Sequence, residues 1–388
     1  MRYLNKYILE DLQSKMVFIG WPRQVGKTTF SKEIAENNYS KYTYLNWDNT
    51  EHKRRILNQE YDAESQLIIF DEIHKYSKWK NLIKWEYDIH KNKYDFLITW
   101  SARLDTYQKW WDSMLGRYYY YRLHPFSLAE LLNIENDFSD SIELNFKDKF
   151  YNNILEDLAV YWGFPEPLMN KNQRVLRRWQ KDRLKRIIDE DIRDITNVRE
   201  VWLMEVLADI LKEKVASNLS INSLVEDLHV WNKTISNWIN ILERVYHCYR
   251  IYPYYDSELK SLKKEPKLYL WDYSVIDNAW AKNENLIANH LLKRVHFLQD
   301  VYGYDVQLKY IKDKEKREVD FVIVFDNKIK YLIEVKTNDK NVSKHLVYYK
   351  NKIWVDNCFQ VIFWDKNIDI EKSWIRVISA SKFLTALV

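Results

Sequence analysis

The sequence predicts an α/β fold whose first third is a parallel sheet covered by helices on both faces. Two observations carry that reading. Five short β-branched or aromatic runs, Lys15–Gly20, Tyr42–Trp47, Gln66–Phe70, Tyr94–Thr99 and Tyr118–His124, alternate with polar stretches of helical character. The third run ends as LIIFDE, four apolar residues followed by two carboxylates, which reads as a central strand buried on both faces.

The rest of the chain follows in order. From about Pro125 to Glu200 the pattern is helical and heavily charged, and Arg174–Ile192 reads as a solvated amphipathic helix, basic first and acidic after. Residues 221–252 give helix, short turn, helix and strand, the outline of a helix-turn-helix with a wing. A boundary loop spans Pro253 to Pro266. A helix near Glu284–Leu298 and strands Val319–Val324, Tyr331–Glu334 and Phe359–Phe363 close the chain.

A length of 388 residues allows two or three domains, and a net charge of only +4 gives no global basic field that would announce nucleic acid. Two cysteines, Cys248 and Cys358, lack the spacing of a zinc site and cannot form a disulfide framework; buried thiols in a reducing cytoplasm are expected. No stretch reads as a signal peptide or a membrane span, so no membrane partner is expected.

The segment IGWPRQVGKTTF follows an apolar strand and opens a helix, the context that marks a phosphate-binding P-loop. Its expected ligand is ATP with Mg²⁺. Backbone N–H groups of Gln24, Val25, Gly26, Lys27, Thr28 and Thr29 would wrap the phosphates at the positive end of the helix dipole. Lys27 would meet the β- and γ-phosphates, and the Thr28 hydroxyl would ligate the metal. Asp71 would hold the same ion through water, and Glu72 would polarise the attacking water.

The runs GKTT, IIFDEI, LITWSARLD and MLGRYYYYRLHPFS resemble a large family of bacterial and archaeal AAA-type ATPases. Its members carry a C-terminal domain of unknown function related to restriction-endonuclease folds. ELL, GFPEP, LRRW, DEDIRDIT, KTISNW, KLYLWD, ENLIANHLL, REVDF and IEVK extend the likeness over nearly the whole chain. It implies a P-loop ATPase domain over 1–128, a helical linker over 129–200, a winged-helix-like region over 201–255 and a restriction-endonuclease-like domain over 256–388. It also implies that Ser101 is the sensor polar residue near the γ-phosphate. Arg117, by itself a surface charge, stands where AAA proteins place an arginine finger, so that a neighbouring copy would complete the site.

One total is abnormal. The chain has five glycines and seventeen tryptophans, where ordinary usage, about 7% glycine, would give roughly 27 glycines. Against the family resembled, Trp21, Trp100, Trp110, Trp111 and Trp162 stand at glycine positions, and Trp85 and Trp280 fall where glycine is common. Trp47, Trp79, Trp179, Trp238 and Trp271 stand where that family has tryptophan. UGA encodes glycine in some bacteria and tryptophan in others. A gene of the first kind read with the second table would show this one-directional exchange.

In REVDFVIVFDNKIKYLIEVK, Glu334 and Lys336 are two apart on one strand and share a face, with room for Asp320 from the neighbouring strand. Two carboxylates and a lysine on one surface suit a metal-dependent nuclease. They resemble the D-(x)n-ExK site of restriction-type nucleases, whose helix glutamate Glu284 matches. A solvent-facing ExK on a strand is also common, so a structural role stays open. On the second helix of the helix-turn-helix, Lys233, Thr234, Asn237 and Trp238 could meet a DNA groove or serve as scaffold. The resulting expectation is an ATPase coupling nucleotide state to nucleic-acid or partner engagement. Its alternative is a non-hydrolysing, nucleotide-dependent switch with a vestigial nuclease-like domain.

Overall fold

The computed structural model describes residues 2–100, 114–136, 138, 142–192, 201–255, 261–262, 264–364 and 367–388. The chain divides into two compact units, Met1–Pro125 and Phe126–Val388. In the first, α1 (Asn5–Leu12) precedes β1 (Met16–Gly20), and α2 (Lys27–Asn38), β2 (Tyr42–Asn46), α3 (Thr50–Asn58) and β3 (Leu67–Asp71) follow. Then come α4 (Trp79–His90), β4 (Asp95–Trp100) and β5 (Tyr118–Arg122). The strands form one sheet in the order β2-β3-β4-β1-β5, and every adjacent pair is parallel. All five expected strands are present, with ends within two residues of those read from the sequence.

β1 and β3 are buried along their whole length, as their unbroken apolar runs require. Each such side chain taken out of water contributes about 2 kcal/mol. Gly20 ends β1 because the Tyr120 ring of β5 crosses it so closely that any Cβ there would collide with the ring. Chain direction therefore gathers the C-terminal ends of β1, β3 and β4 at one edge, where ligands of open parallel sheets sit.

The second unit begins with helices Leu128–Leu131, Asn152–Tyr161, Pro165–Asn170 and Gln173–Arg186. The last turns Leu176, Trp179 and Arg183 inward and leaves its other charges in water. Helices Ile221–Leu228 and Asn232–Arg244 then form the helix-turn-helix, and β6 (Cys248–Ile251) pairs antiparallel with β7 (Lys267–Leu270). Ile235, Trp238, Ile239 and Leu242 make the buried face of the second helix. Trp238 therefore belongs to the core rather than to a groove-facing surface, because it falls three residues after Ile235 on the apolar stripe. Lys233 and Asn237 are exposed and Thr234 is half-buried.

The long helix Ala279–Tyr302 outruns the expected Glu284–Leu298 at both ends. The Asn278 side chain accepts from the N–H groups of Trp280 and Ala281 and caps its start, and Gly303, at φ 70°, closes it. It is followed by a mixed sheet of β8 (Val306–Lys312), β9 (Glu318–Phe325), β10 (Lys328–Lys336), β11 (Asn357–Ile362), β12 (Asp369–Lys372) and β13 (Ile375–Ser379). The order is β12-β13-β11-β10-β9-β8, with parallel pairs only at β10–β11 and β11–β13. Cys248 and Cys358 are both buried. Among the described residues no helix is long and apolar enough to cross a membrane.

Candidate functional site

The phosphate loop lies between β1 and α2, at the sheet edge where the strands end. Gln24 and Gly26 take left-handed conformations, φ 65° and 95°, and Trp21 sits at φ 143°. These turns bring Lys27 back under the loop, where its buried Nζ donates to the carbonyls of Trp21 and Pro22, both at 2.8 Å. Arg2 fixes the outside, donating to the carbonyls of Val25 and His124. The Trp21 indole packs against the His124 ring at 4.8 Å, with the Arg122 guanidinium over it at 5.9 Å.

Asp71, at the end of β3 and 1% exposed, is the hub of the site. Thr28 Oγ1 donates to its Oδ2 at 2.9 Å, joining the first turn of α2 to β3. Tyr44 Oη (2.5 Å) and Asn46 Nδ2 (3.1 Å) from β2 donate to the same oxygen, and Thr99 Oγ1 from β4 donates to Oδ1. Three strands and one helix thus aim a single carboxylate at the threonine hydroxyl. Glu72, at φ 56°, turns off the strand toward His74, Nε2 to Oε2 3.5 Å, and Lys75 at 3.7 Å. Burial pushes the His74 imidazole down to about 4, with Glu72 only partly opposing. His74 is therefore neutral at pH 7, lying against the Trp100 ring at 4.7 Å.

Lys27, Thr28 and Asp71 lie at this end of the sheet, Thr28 and Asp71 in direct contact, with Glu72 following Asp71 and turned toward His74 and Lys75. Arg117 lies elsewhere: just before β5, its carbonyl accepts from the Met16 N–H at the start of β1, so it sits at the opposite end of the strands from the loop. There its Nε meets Asp88 Oδ1 at 2.7 Å. Ser101, Trp110 and Trp111 fall outside the described residues. The sequence reading missed Arg2, Tyr44, Asn46 and Thr99. Only Tyr44 and Asn46 carried a signal, as polar alternates on a strand beside LIIFD.

In the second unit, Ile333 of β10 pairs with Phe321 of β9, which sets Glu334 and Asp320 one step further along the same register. Asp320 Oδ2 accepts from the Val335 N–H at 2.9 Å, and Lys336 Nζ donates to Glu334 Oε1 at 2.6 Å. Glu284, fully buried on the long helix, accepts from Tyr269 Oη at 2.7 Å. Two of the expected four, Glu284 and Asp320, share a fifth residue as partner, while Lys336 pairs with Glu334 beside Asp320. Lys267, 1% exposed at the start of β7, reaches Glu318 at 2.6 Å, Asp320 at 3.2 Å and Glu284 at 3.3 Å.

Burial and the nearby Asp320 push Glu284 up to about 8, with Lys267 pulling partly back. Burial and Asp320 likewise raise Glu334 to about 7. Burial opposes charge on Lys267, yet Asp320, Glu284 and Glu318 hold it well above the usual lysine value. Among the described residues no three carboxylate, histidine or cysteine side chains are placed to hold a metal ion. The Lys267 ammonium stands among carboxylates that a cation would need. The sequence hinted at Lys267 only as a lysine opening an otherwise apolar strand.

Residues 13–132 match the family described as an AAA domain. Residues 152–285 and 281–383 match two domains of unknown function, DUF8612 and DUF4143. An uncharacterized protein of Methanocaldococcus jannaschii is 24% identical over 385 residues, covering 90% of this chain and 82% of that one. An uncharacterized protein of Haemophilus influenzae is 23% identical, covering 78% and 74%. Among solved structures, Thermotoga maritima RuvB, a Holliday junction branch migration motor, is 16% identical. It covers 64% of this chain and 88% of its own, at a TM-score of 0.30. The Pyrococcus furiosus Hef helicase domain reaches 10% identity, 93% and 89% coverage and a TM-score of 0.22. Overlays this loose add nothing to the sheet order described above.

Proposed function

We propose that the N-terminal unit binds ATP with Mg²⁺ and hydrolyses it. The observation that carries this reading is the Thr28–Asp71 hydrogen bond beside the buried Lys27, at the C-terminal edge of a parallel sheet. Magnesium-bound ATP would supply the triphosphate and the cation that neutralises its developing charge. The chain supplies the rest. The loop amides from Gln24 to Thr29 and the N-terminus of α2 favour anionic oxygens. The Thr28 hydroxyl and Asp71 suit the ion, the carboxylate through water, and Glu72 is the general base that orients the nucleophile. Ser101 serves as sensor and Arg117 as finger for a neighbouring copy's site. The helix-turn-helix with its β6–β7 pair supports a winged-helix-like element, and its exposed Lys233 and Asn237 favour duplex DNA as the partner of residues 221–252, with the C-terminal domain a second contact.

ATP turnover and binding by the wild type, Lys27→Ala and Glu72→Gln test the proposal. Lys27→Ala should lose binding. Glu72→Gln should keep binding and lose at least about 100-fold in turnover, the scale of a displaced general base. Turnover by Glu72→Gln at the wild-type rate would remove Glu72 from the mechanism. Binding without turnover in the wild type would favour the switch.

A second reading, in which the C-terminal carboxylates are structural rather than catalytic, is favoured by Lys267. An ammonium held by three carboxylates already does the neutralising that a divalent ion would do. In nucleotide-free protein titrated with Mn²⁺, the wild type should show no binding that depends on Asp320, whereas Lys267→Met should gain it. Asp320-dependent Mn²⁺ binding in the wild type would overturn this reading in favour of a metal nuclease.

A further inference from the structure

Among the described residues, sixteen non-glycine positions have positive φ, and four of them are tryptophan: Trp21, Trp162, Trp354 and Trp374. Only three glycines do, Gly26, Gly116 and Gly303. Left-handed backbone is glycine's province, because a Cβ crowds the neighbouring carbonyl. Asparagine and aspartate visit it with local hydrogen bonds; an indole has none to offer.

Each of the four stands where local geometry favours glycine over an indole. Trp354 closes the helix Lys344–Ile353 at φ 60° and ψ 52°, its N–H bonded to the Lys350 carbonyl at 2.9 Å. That is the left-handed C-terminal cap, most often glycine. Ser373 and Trp374 are the two central residues between the paired Lys372 and Ile375, at φ 52° and 59°. Two positive φ angles in a two-residue hairpin make a type I′ turn, whose second position strongly prefers glycine. Trp162, at φ 63° and ψ 171°, lies in a region essentially only glycine occupies. Trp21, at φ 143°, opens the phosphate loop.

The two surface positions exclude a packing explanation. Trp354 and Trp374 are 89% and 79% exposed, so their indoles gain nothing from the core that would offset the strain. We infer that the codons for residues 21, 162, 354 and 374 are UGA and that the organism reads them as glycine. Positions 354 and 374 extend the set beyond those that composition and family likeness pick out. Trp85 and Trp280 lie in helices and Trp100 in β4, all without positive φ, so the backbone makes no such demand there. The inference rests on dihedral angles and not on the nucleotide-binding reading, which can fail while it stands.

Peptide masses of the protein isolated from its native cells, read beside the gene, decide it. Glycine at all four positions is the expected result; tryptophan encoded by UGG at any of Trp21, Trp162, Trp354 or Trp374 overturns it there. A second measurement reads the conformational cause. The full chain carrying Trp354→Gly and Trp374→Gly should melt higher than the chain with tryptophan, by roughly 2–4 °C per position. A lower melting temperature would show that the backbone does not need glycine at those turns.

Discussion

Two side chains, Asp71 and Lys267, organise their surroundings, and they do so in opposite ways. Asp71 is a carboxylate satisfied by neutral donors from Thr28, Tyr44, Asn46 and Thr99. It needs no cation to be stable, so the hydroxyl beside it can be given up to one. Lys267 is a cation satisfied by carboxylates, and the cluster around it carries protons as well as charges. Glu284 holds its proton up to about 8 when folded, against 4.5 when exposed, because it is buried beside Asp320. The folded chain therefore binds a proton that the unfolded chain has released. The stabilisation is complete below about pH 4.5 and is lost as pH rises through about 8. Thermal melts from pH 5 to 8.5 should show Tm falling by several degrees in the wild type. Glu284→Gln, permanently neutral, should flatten that slope; an unchanged slope would place the proton elsewhere. Lys267→Met should destabilise by about 3–5 kcal/mol, since it strands buried carboxylates.

At the scale of elements, strands were more legible than their polar contacts. Apolar runs such as LIIFD state their burial outright, and the loop's GKT lies in the one context, strand before and helix after, that gives it meaning. Thr99 carried no such mark. A threonine ending a β-branched strand reads as propensity, and only the β3–β4 pairing turns it toward Asp71. Of the two roles open for Trp238, groove contact or scaffold, the stripe Ile235, Trp238, Ile239 and Leu242 selects the second, because it decides which way the helix faces. The exposed side of that helix, with Lys233 and Asn237, is what the proposed duplex would meet. Duplex DNA binding should weaken as salt rises, and Lys233→Ala should lower the logarithmic salt slope by about 1. Binding indifferent to salt would assign the helix-turn-helix to scaffolding.

For the whole molecule, alternation of strands and helices foretold the parallel sheet of the first unit, because local rhythm and sheet topology are tied by crossover connections. The mixed sheet of the second unit was less visible. β8, β12 and β13 were not foreseen; β12 is mostly polar, and its place depends on pairing with a strand that follows it in sequence. Lys267 stayed hidden for the same kind of reason: its partners Glu284, Glu318 and Asp320 come from a helix and a strand distant along the chain.

Arg117 and Lys27 flank opposite ends of β1, roughly 13 Å apart along a five-residue strand. If Arg117 acts as the finger proposed above, one subunit would carry donor and acceptor at opposite strand ends and would not pair them internally. Any contact that does bring an arginine to a loop has polarity, a head on one copy meeting the tail of the next. Contacts of that kind either close into a ring of fixed number or run on as a filament.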